Sequence, residues 1–425
     1  MIDLKDLRER PEVYIENIKK KGQDPNIVSE TLILDKKWRE AKKRADYLRK
    51  KRNEISQEIN EAKKQKKRID ELLKKAKALP NQIREAETEE KEIFTDLQSF
   101  LSKIPNLMHK DVPIGKSEKD NVVVKNVGKP KKLNFNVKNH VEISESLNLV
   151  DFDASAEVAG TGFYYLKGDL ALLNQALIKF TIDFMLKKGY TYLEPPLMIR
   201  KKIAIAQGDF EAFKNALYKI EGEDLYLIPT AEHAILGMLS NKQIPEEKLP
   251  LRFFGYSMCF RKEIGSHGIN EKGLWRTHQF NKVEQFIFCK PENSWECYSE
   301  LMKNSEEILK KLKLPYRIIE ICSAELGNWK ARSHDFEVWR PTLKTYGEVM
   351  SLSNCTDYQS RELNIRGIRK NGERFFLHTL NNTALATSRI MVAILENYQK
   401  KDGSVEIPEA IRKYMNGKKI IKPSN

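Results

Sequence analysis

From residue 27 to residue 104 apolar side chains return at alternating steps of four and three, with charge between them and almost no glycine or proline. One line runs through Leu34, Trp38, Ala41, Ala45, Leu48, Ile55, Ile59 and Ala62, with Arg52 in a seam slot. A second runs through Ile69, Leu72, Ala76, Leu79, Ile83, Ala86, Ile93, Leu97 and Phe100, with Glu90 as its one charged slot. A stripe of this period is hidden best against another helix, so two lines joined near Lys63 to Arg68 predict an antiparallel helical hairpin. From Leu34 to Ala62 the first helix would extend roughly 43 Å, longer than a compact domain covers, and the hairpin is expected to project as an arm. Pro80 removes a backbone donor inside the second helix and is expected to kink or interrupt it.

Beyond about Lys103 the pattern dissolves as far as Asn139, which reads as a linker into a second domain, with a boundary at 112/113. Leu170 to Lys188 regains helical periodicity, Gly189 closes it, and Tyr190 to Leu193 is strand-like before Pro195 and Pro196. Leu227 to Pro229 is a short apolar run followed by Thr230 as a helix cap and Glu232 in the first turn. Cys259 to Phe288 reads as two strands joined by a long, glycine-punctuated loop. Period two puts Arg261 and Glu263 on one face of the first strand, and Phe280, Glu284, Phe286 and Phe288 on one face of the second. A face that mixes an arginine, carboxylates and aromatics is either a salt-bridged hairpin or the floor of a charged ligand's site, and the ligand is favoured. Finally, His378 to Gln399 reads as a strand breaking into a helix.

Composition adds partners and excludes some chemistries. Lys and Arg number 75 against 60 Asp and Glu, a formal net charge of +15, which makes an acidic polymer such as RNA a plausible partner. Lys42, Lys43, Arg44, Arg49, Lys50, Lys51 and Arg52, then Lys63, Lys64, Lys66, Lys67 and Arg68, gather on the outside of the hairpin. Such runs are usually a solvated face, yet they also suit the phosphates of a long RNA helix. The five cysteines form no CxxC pair, so neither a disulfide framework nor a zinc ribbon is expected. No apolar run reaches the roughly 20 residues of a membrane span, and the N-terminus lacks a signal-like core, which points to the cytoplasm. Gly115-Lys116-Ser117 ends like a P-loop, but Lys110 stands where its first glycine belongs and no strand precedes it.

The segment FRKE, a loop, then HQFNKVE (Phe260 to Glu284) resembles the second signature motif of class II aminoacyl-tRNA synthetases, and its wording is similar to that of the seryl-tRNA synthetases. The resemblance implies that Arg261 grips the ATP α-phosphate and the amino-acid carboxylate, that Glu263 meets adenine, that Phe280 stacks on it, and that Glu284 faces serine. Lys262 and Thr277 join the implied ATP site. Thr230 and Glu232 resemble the element that binds the substrate's amino group, for which a carboxylate is suited by charge. The helix, strand and proline after Leu170 resemble the dimer-forming first motif. TYGEVMSLSNCTDYQSRELNIR (Thr345 to Arg366) resembles the segment lining ATP and metal. It implies ATP contacts from Glu348, Val349, Met350 and Ser351, with Glu348 and Ser351 as Mg²⁺ contacts. The third motif resembles His378 to Gln399, where Arg389 would hold the γ-phosphate and Thr383 would meet the substrate hydroxyl. The segment Thr345 to Arg366 departs from the family's pattern at Gly347, Met350 and Leu352, the third motif departs at Asn382, and the loop of the second motif departs at Ile269, Glu271 and Lys272.

The fold class so implied is α+β. An N-terminal antiparallel coiled-coil arm (1–112) precedes a class II catalytic domain on an antiparallel β-sheet with flanking helices (113–425). The implied reaction joins L-serine to ATP as seryl-adenylate, with Arg261 and Arg389 as catalytic residues and ATP and Mg²⁺ as cofactors. Serine then passes to tRNA(Ser), with tRNA(Sec) left open. The arm would hold the tRNA through Lys42, Lys43, Arg49 and Lys50, and the protein would be a homodimer without a membrane anchor. Two other readings stand beside this one: an amino-acid ligase for a carrier protein, and a non-catalytic RNA-binding paralogue.

Overall fold

The computed structural model describes residues 1–206, 215–263 and 272–422. Contacts divide the chain into two units, Ile2–Pro105 and Asn106–Asn425 with Met1. In the first, α1 (Leu4–Glu9) and α2 (Pro11–Lys20) precede two long helices, α3 (Asn26–Lys64) and α4 (Asp70–Lys103). Each residue of the two apolar lines is buried or half-buried, while Arg52 is exposed. Ile55, Leu79 and Ile83 form the tightest part of the seam, with Leu48, Ile59 and Ala76 packed around it, and Trp38 meets Phe94 at 5.3 Å between ring centroids. Burial on α3 begins before Leu34, at Val28 and Thr31, and includes a charge. Asp35 is fully buried and ion-paired with Arg39 at 3.0 Å and Arg8 at 3.4 Å, a charge that burial permits only because it is paired. The expected interruption at Pro80 does not occur, because α4 runs through it as one helix. Pro80 is exposed there.

The second unit is built on an eight-stranded sheet. Its strands are β1 (Val122–Val127), β2 (Thr191–Leu193), β3 (Leu251–Phe260), β4 (Gln279–Cys289), β5 (Tyr316–Glu320), β6 (Arg332–Arg340), β7 (Thr345–Asn354) and β8 (His378–Ala386). They lie in the order β1-β5-β6-β7-β8-β4-β3-β2, antiparallel except for β2 beside β3. The flanking helices that matter here are α5 (Gly168–Lys187), α6 (Ala231–Met238), α7 (Ser294–Lys311), α8 (Tyr358–Glu362) and α9 (Thr387–Tyr398). Gly189, at φ +79°, supplies the left-handed residue that ends α5, and Tyr190 N–H returns to the Met185 carbonyl.

The stretch taken for a linker contains β1, which adds to the edge of the sheet beside β5. Val122, Val123 and Val124 are exposed and only Val127 packs against the core, so its pairing is mainly a matter of backbone hydrogen bonds rather than of a buried face that periodicity could announce. The rejected phosphate loop is a local turn, where Asp120 accepts the N–H groups of Lys116 and Ser117.

Two strands decide where a site can form. On β4, Val283, Ile287 and Cys289 enter the main core with side chains of α5, α7 and α9. Burying each large apolar side chain there is worth about 1.5–3 kcal/mol. On the opposite face, Phe286 and Phe288 pack beneath Ile235 and Leu236 of α6. Phe280, Lys282 and Glu284 continue that second face, and no helix among the described residues covers them; they line a cavity.

Candidate active site

The cavity, about 410 Å³, lies over β4, β7 and β8 and is closed by the starts of α6 and α9. Arg261 arrives just past the end of β3. Its N–H donates to the His278 carbonyl at 2.9 Å, which continues the β3–β4 pairing by one residue. Its guanidinium lies 5.2 Å from the Phe280 ring centroid, and its Nε donates to the Pro229 carbonyl at 3.3 Å. Glu263 also lines the cavity, but not by strand alternation. Its φ is +49°, a left-handed conformation that costs a non-glycine residue on the order of 1 kcal/mol or more, and its carboxylate stands 3.6 Å from Arg276. The loop residues Ile269 and Glu271 lie outside the described residues. Lys272 pairs with Asp153 at 2.6 Å.

Strict alternation would place Glu348 and Ser351 on opposite faces of β7. A β-bulge at Val349, where the β6–β7 register shifts, turns both toward the cavity together with Ser353. A second bulge, at Ala384 of β8, changes parity so that Asn381, Thr383 and Ala386 all line the same space. Met350 is not among the lining residues: it is buried in the main core, as is Leu352. The side chain of Met350, expected at ATP, thus lies in the core rather than in the cavity wall, as does that of Leu352. Lys262 is turned away as well, its Nζ over the Tyr218 ring at 5.6 Å, whereas Thr277 does line the cavity. Gly347 leaves room for an aromatic, since a Cβ there would meet Trp275 at 2.6 Å. Trp275 in turn lies 4.2 Å from the Arg340 guanidinium and 5.4 Å from that of Arg389. Asn382, in place of a frequent glycine, sits in β8 and donates to Leu301 carbonyl and Ser305 Oγ of α7, each at 2.9 Å.

Charge inside the cavity is ordered by pairs. Arg389 contacts the Glu348 carboxylate at 3.1 Å and its carbonyl at 2.8 Å. Burial pushes the Glu348 carboxyl up, but Arg389 and then Arg261 outweigh it and leave the group below the ordinary carboxylate value. Asp335, opposite Ser351 on β6, is raised to about 7 by burial and then by the Glu348 charge. At the other end, Lys282 bridges Glu284 at 2.6 Å and Thr230 Oγ1 at 3.2 Å. Burial raises Glu284, with Lys282 opposing it. Thr230 caps α6 by accepting the Glu232 N–H, and Glu232 is raised to about 7 by burial and then by Glu284. His233 is kept neutral, its pKa lowered to about 3 by burial and then by Arg261 and Lys282.

One end of the space thus presents two carboxylates, a lysine and a hydroxyl, which suits a small zwitterion. The other presents Arg261, Arg389 and an aromatic ring, which suits a nucleotide polyphosphate. Lys282, Asn381 and Ser353 were missed in the sequence although each shares the parity of a motif residue beside it. Trp329 and Lys330 also line the cavity, from a loop with no period to read.

Comparison with known proteins completes the description. The family model described as the tRNA synthetase class II core domain (G, H, P, S and T) matches residues 214–398, and that of the seryl-tRNA synthetase N-terminal domain matches residues 1–108. The chain is 43% identical to a serine–tRNA ligase of Methanoregula boonei over 99% of this chain and 100% of that protein, and 45% identical to one of Methanocella arvoryzae over 98% and 99%. Among solved structures it is similar to the seryl-tRNA synthetase of Pyrococcus horikoshii complexed with ATP, with a TM-score of 0.91, 41% identity and full coverage of both chains. The cytoplasmic serine-tRNA ligase of Naegleria fowleri in complex with AMP gives 0.87 and 32%, over 100% of this chain and 99% of the other.

Proposed function

Because the chain belongs to the seryl-tRNA synthetase family of class II synthetases, we propose that its cavity activates L-serine with ATP and passes the seryl group to tRNA(Ser). The observation that carries the site is the double bulge. With the bulges, Glu348, Ser351, Thr383 and Ala386 line one cavity together with Arg261, Phe280, Glu284 and Arg389. The serine ammonium sits against Glu232 and Thr230, and the hydroxyl against Glu284 and Thr383. Phe280 stacks on adenine, with Glu263 and Thr277 beside it. Arg261 spans the serine carboxylate and the α-phosphate, and Arg389 takes the γ-phosphate. Serine carboxylate attacks the α-phosphorus in line, pyrophosphate leaves, and the terminal ribose hydroxyl of the tRNA then attacks the seryl carbonyl and releases AMP. The protein supplies position and fixed positive charge rather than a covalent nucleophile.

Glu348 and Ser351 offer hard oxygen donors on one wall, with Asp335 opposite Ser351, a donor set that fits Mg²⁺. When bound, the ion adds charge neutralisation on the phosphates. The same reading makes 1–112 the tRNA-binding part and 113–425 the catalytic domain, in a cytoplasmic homodimer. No helix among the described residues is long and apolar enough to cross a membrane. An amino-acid ligase for a carrier protein is not favoured, given the match to a tRNA synthetase N-terminal domain. The deciding experiment is amino-acid-dependent exchange of pyrophosphate into ATP across all the standard amino acids. Serine alone should support it, and a different preferred amino acid would sink the reading.

A further inference from the structure

The two oxygens of Glu232 are held differently. Oε1 accepts two neutral amides, Asn381 Nδ2 at 3.0 Å and Gln359 Nε2 at 3.1 Å. Oε2 receives no hydrogen bond from any described residue, and Glu232 lines the cavity. Gln359, on α8, does not line the cavity and is fully buried. Its own carbonyl Oε1 accepts from Thr379 Oγ1 at 2.6 Å. Turned the other way, the amide would set its oxygen against the Glu232 carboxylate, so its orientation is fixed by its two partners.

We propose that Gln359, locked by Thr379, is a positioning residue for the amino-acid substrate: together with Asn381 it saturates Oε1 of Glu232 and keeps Oε2 as the acceptor for the substrate ammonium. This rests on the assignment of Glu232 to the serine ammonium made above. A carboxylate with one oxygen satisfied cannot rotate to share its charge with another neighbour without leaving two buried amides unpaired, which is costly.

The electrostatics give the proposal a signature. Facing Glu232 are Glu284 and Lys282 from β4, Lys330 from the loop before β6, the Cys355 thiol just after β7, and neutral His233 beside it on α6. Burial and then Glu284 raise Glu232, whereas Lys282, the Gln359 donor and Lys330 lower it. Removing the Gln359 donor takes away a bond that favours the ionised form, so the carboxylate picks up its proton at higher pH. Serine binding should then fail on the acid side sooner than in the parent protein.

The test is serine-dependent pyrophosphate exchange by the full chain and its Gln359→Met, Thr379→Val and Thr379→Ser variants, as a function of pH. In Gln359→Met and Thr379→Val the KM for serine should rise about tenfold while the KM for ATP and kcat at saturating serine stay within about twofold. The acidic limb of kcat/KM for serine should move up by about one pH unit, and Thr379→Ser should return both values to those of the parent. A wild-type serine KM with an unmoved acidic limb in Gln359→Met overturns the proposal. So does an equal loss toward ATP and serine with no pH shift, which marks a merely structural role. If Gln359→Met does not fold, Thr379→Val decides by the same criteria. A parent protein that exchanges with another amino acid and not with serine overturns the underlying assignment, whatever the variants do.

Discussion

Arg261 reaches the cavity on a backbone that is still paired to β4, so its loss should leave the sheet intact. In Arg261→Ala adenylate formation should fall to background in the exchange assay while the melting temperature persists; near-normal exchange would remove this residue from the site. The serine end invites a specificity measurement. Glu284 and Thr383 would be left without a partner by alanine, so kcat/KM for alanine should lie about 10⁴-fold or more below that for serine, and threonine must be refused by size. Near-equal activation of alanine would show that the hydroxyl is not read there. A third residue serves the frame. Glu396 is fully buried and takes both Nε and Nη2 of Arg340 at 2.7 Å, with His140 at 3.3 Å. Burial pushes its carboxyl up, but Arg340 and His140 win and bring it down to about 2. A depressed value means that its stabilisation is complete above the unfolded carboxylate's value, about 4.3, and disappears as pH falls toward about 2. Glu396→Gln should therefore cost about 3 kcal/mol or more at neutral pH by leaving Arg340 buried without its counter-charge. In urea titrations the gap to the parent should close between these two pH values, and a constant gap would contradict the ion-pair account.

Among the elements, α3 and α4 show how a basic face divides its labour. Arg49 reaches Glu87 across the hairpin at 2.8 Å and also pairs with Asp46, and Arg44 reaches Glu89 at 3.1 Å. Of the four cations assigned to tRNA, Arg49 is thus engaged in holding the helices together. Lys42 lies over Trp38, Lys50 stands 3.8 Å from Glu54, and Lys43 is exposed. Changing Lys42, Lys43 and Lys50 to Gln should weaken tRNA binding and reduce the slope of log affinity against log salt by about 0.7 to 0.9 for each phosphate that the variant no longer neutralises. Arg49→Gln should loosen the hairpin by about 0.2 to 1 kcal/mol instead, as exposed pairs do. An unchanged salt slope in the triple lysine variant would assign this face to solvent. The strands carry a different lesson, since Glu348 of β7 and Ala386 of β8 reach the cavity beside their neighbours only because a bulge puts each strand one residue out of step with plain alternation.

For the molecule as a whole, the hairpin's apolar seam is satisfied within Ile2–Pro105, and the sheet with its main core belongs to the other unit. Replacing Asn26 to Lys103 with a short linker should therefore leave a folded protein that still exchanges pyrophosphate with serine but has lost most tRNA charging. Charging at the parent's efficiency would mean that the arm serves another partner. The sequence by itself determined much of this. The 3.5-residue lines located the arm, because such a stripe has few other places to be buried. Period two on β4 already grouped Phe280, Glu284, Phe286 and Phe288, and the resemblance at Phe260 to Glu284 pointed to the chemistry. Tertiary structure alone decided that Phe286 and Phe288 go under α6 while Phe280 and Glu284 stay open to the cavity, because coverage depends on where a helix distant in sequence comes to rest. It decided that Glu348 joins Ser351 and that Met350 turns inward, because a bulge is a mismatch between two strands and is written in neither strand alone. It also made a strand of Val122–Val127, whose first three valines stay exposed and which is extended chiefly by pairing with the edge of β5 beside it.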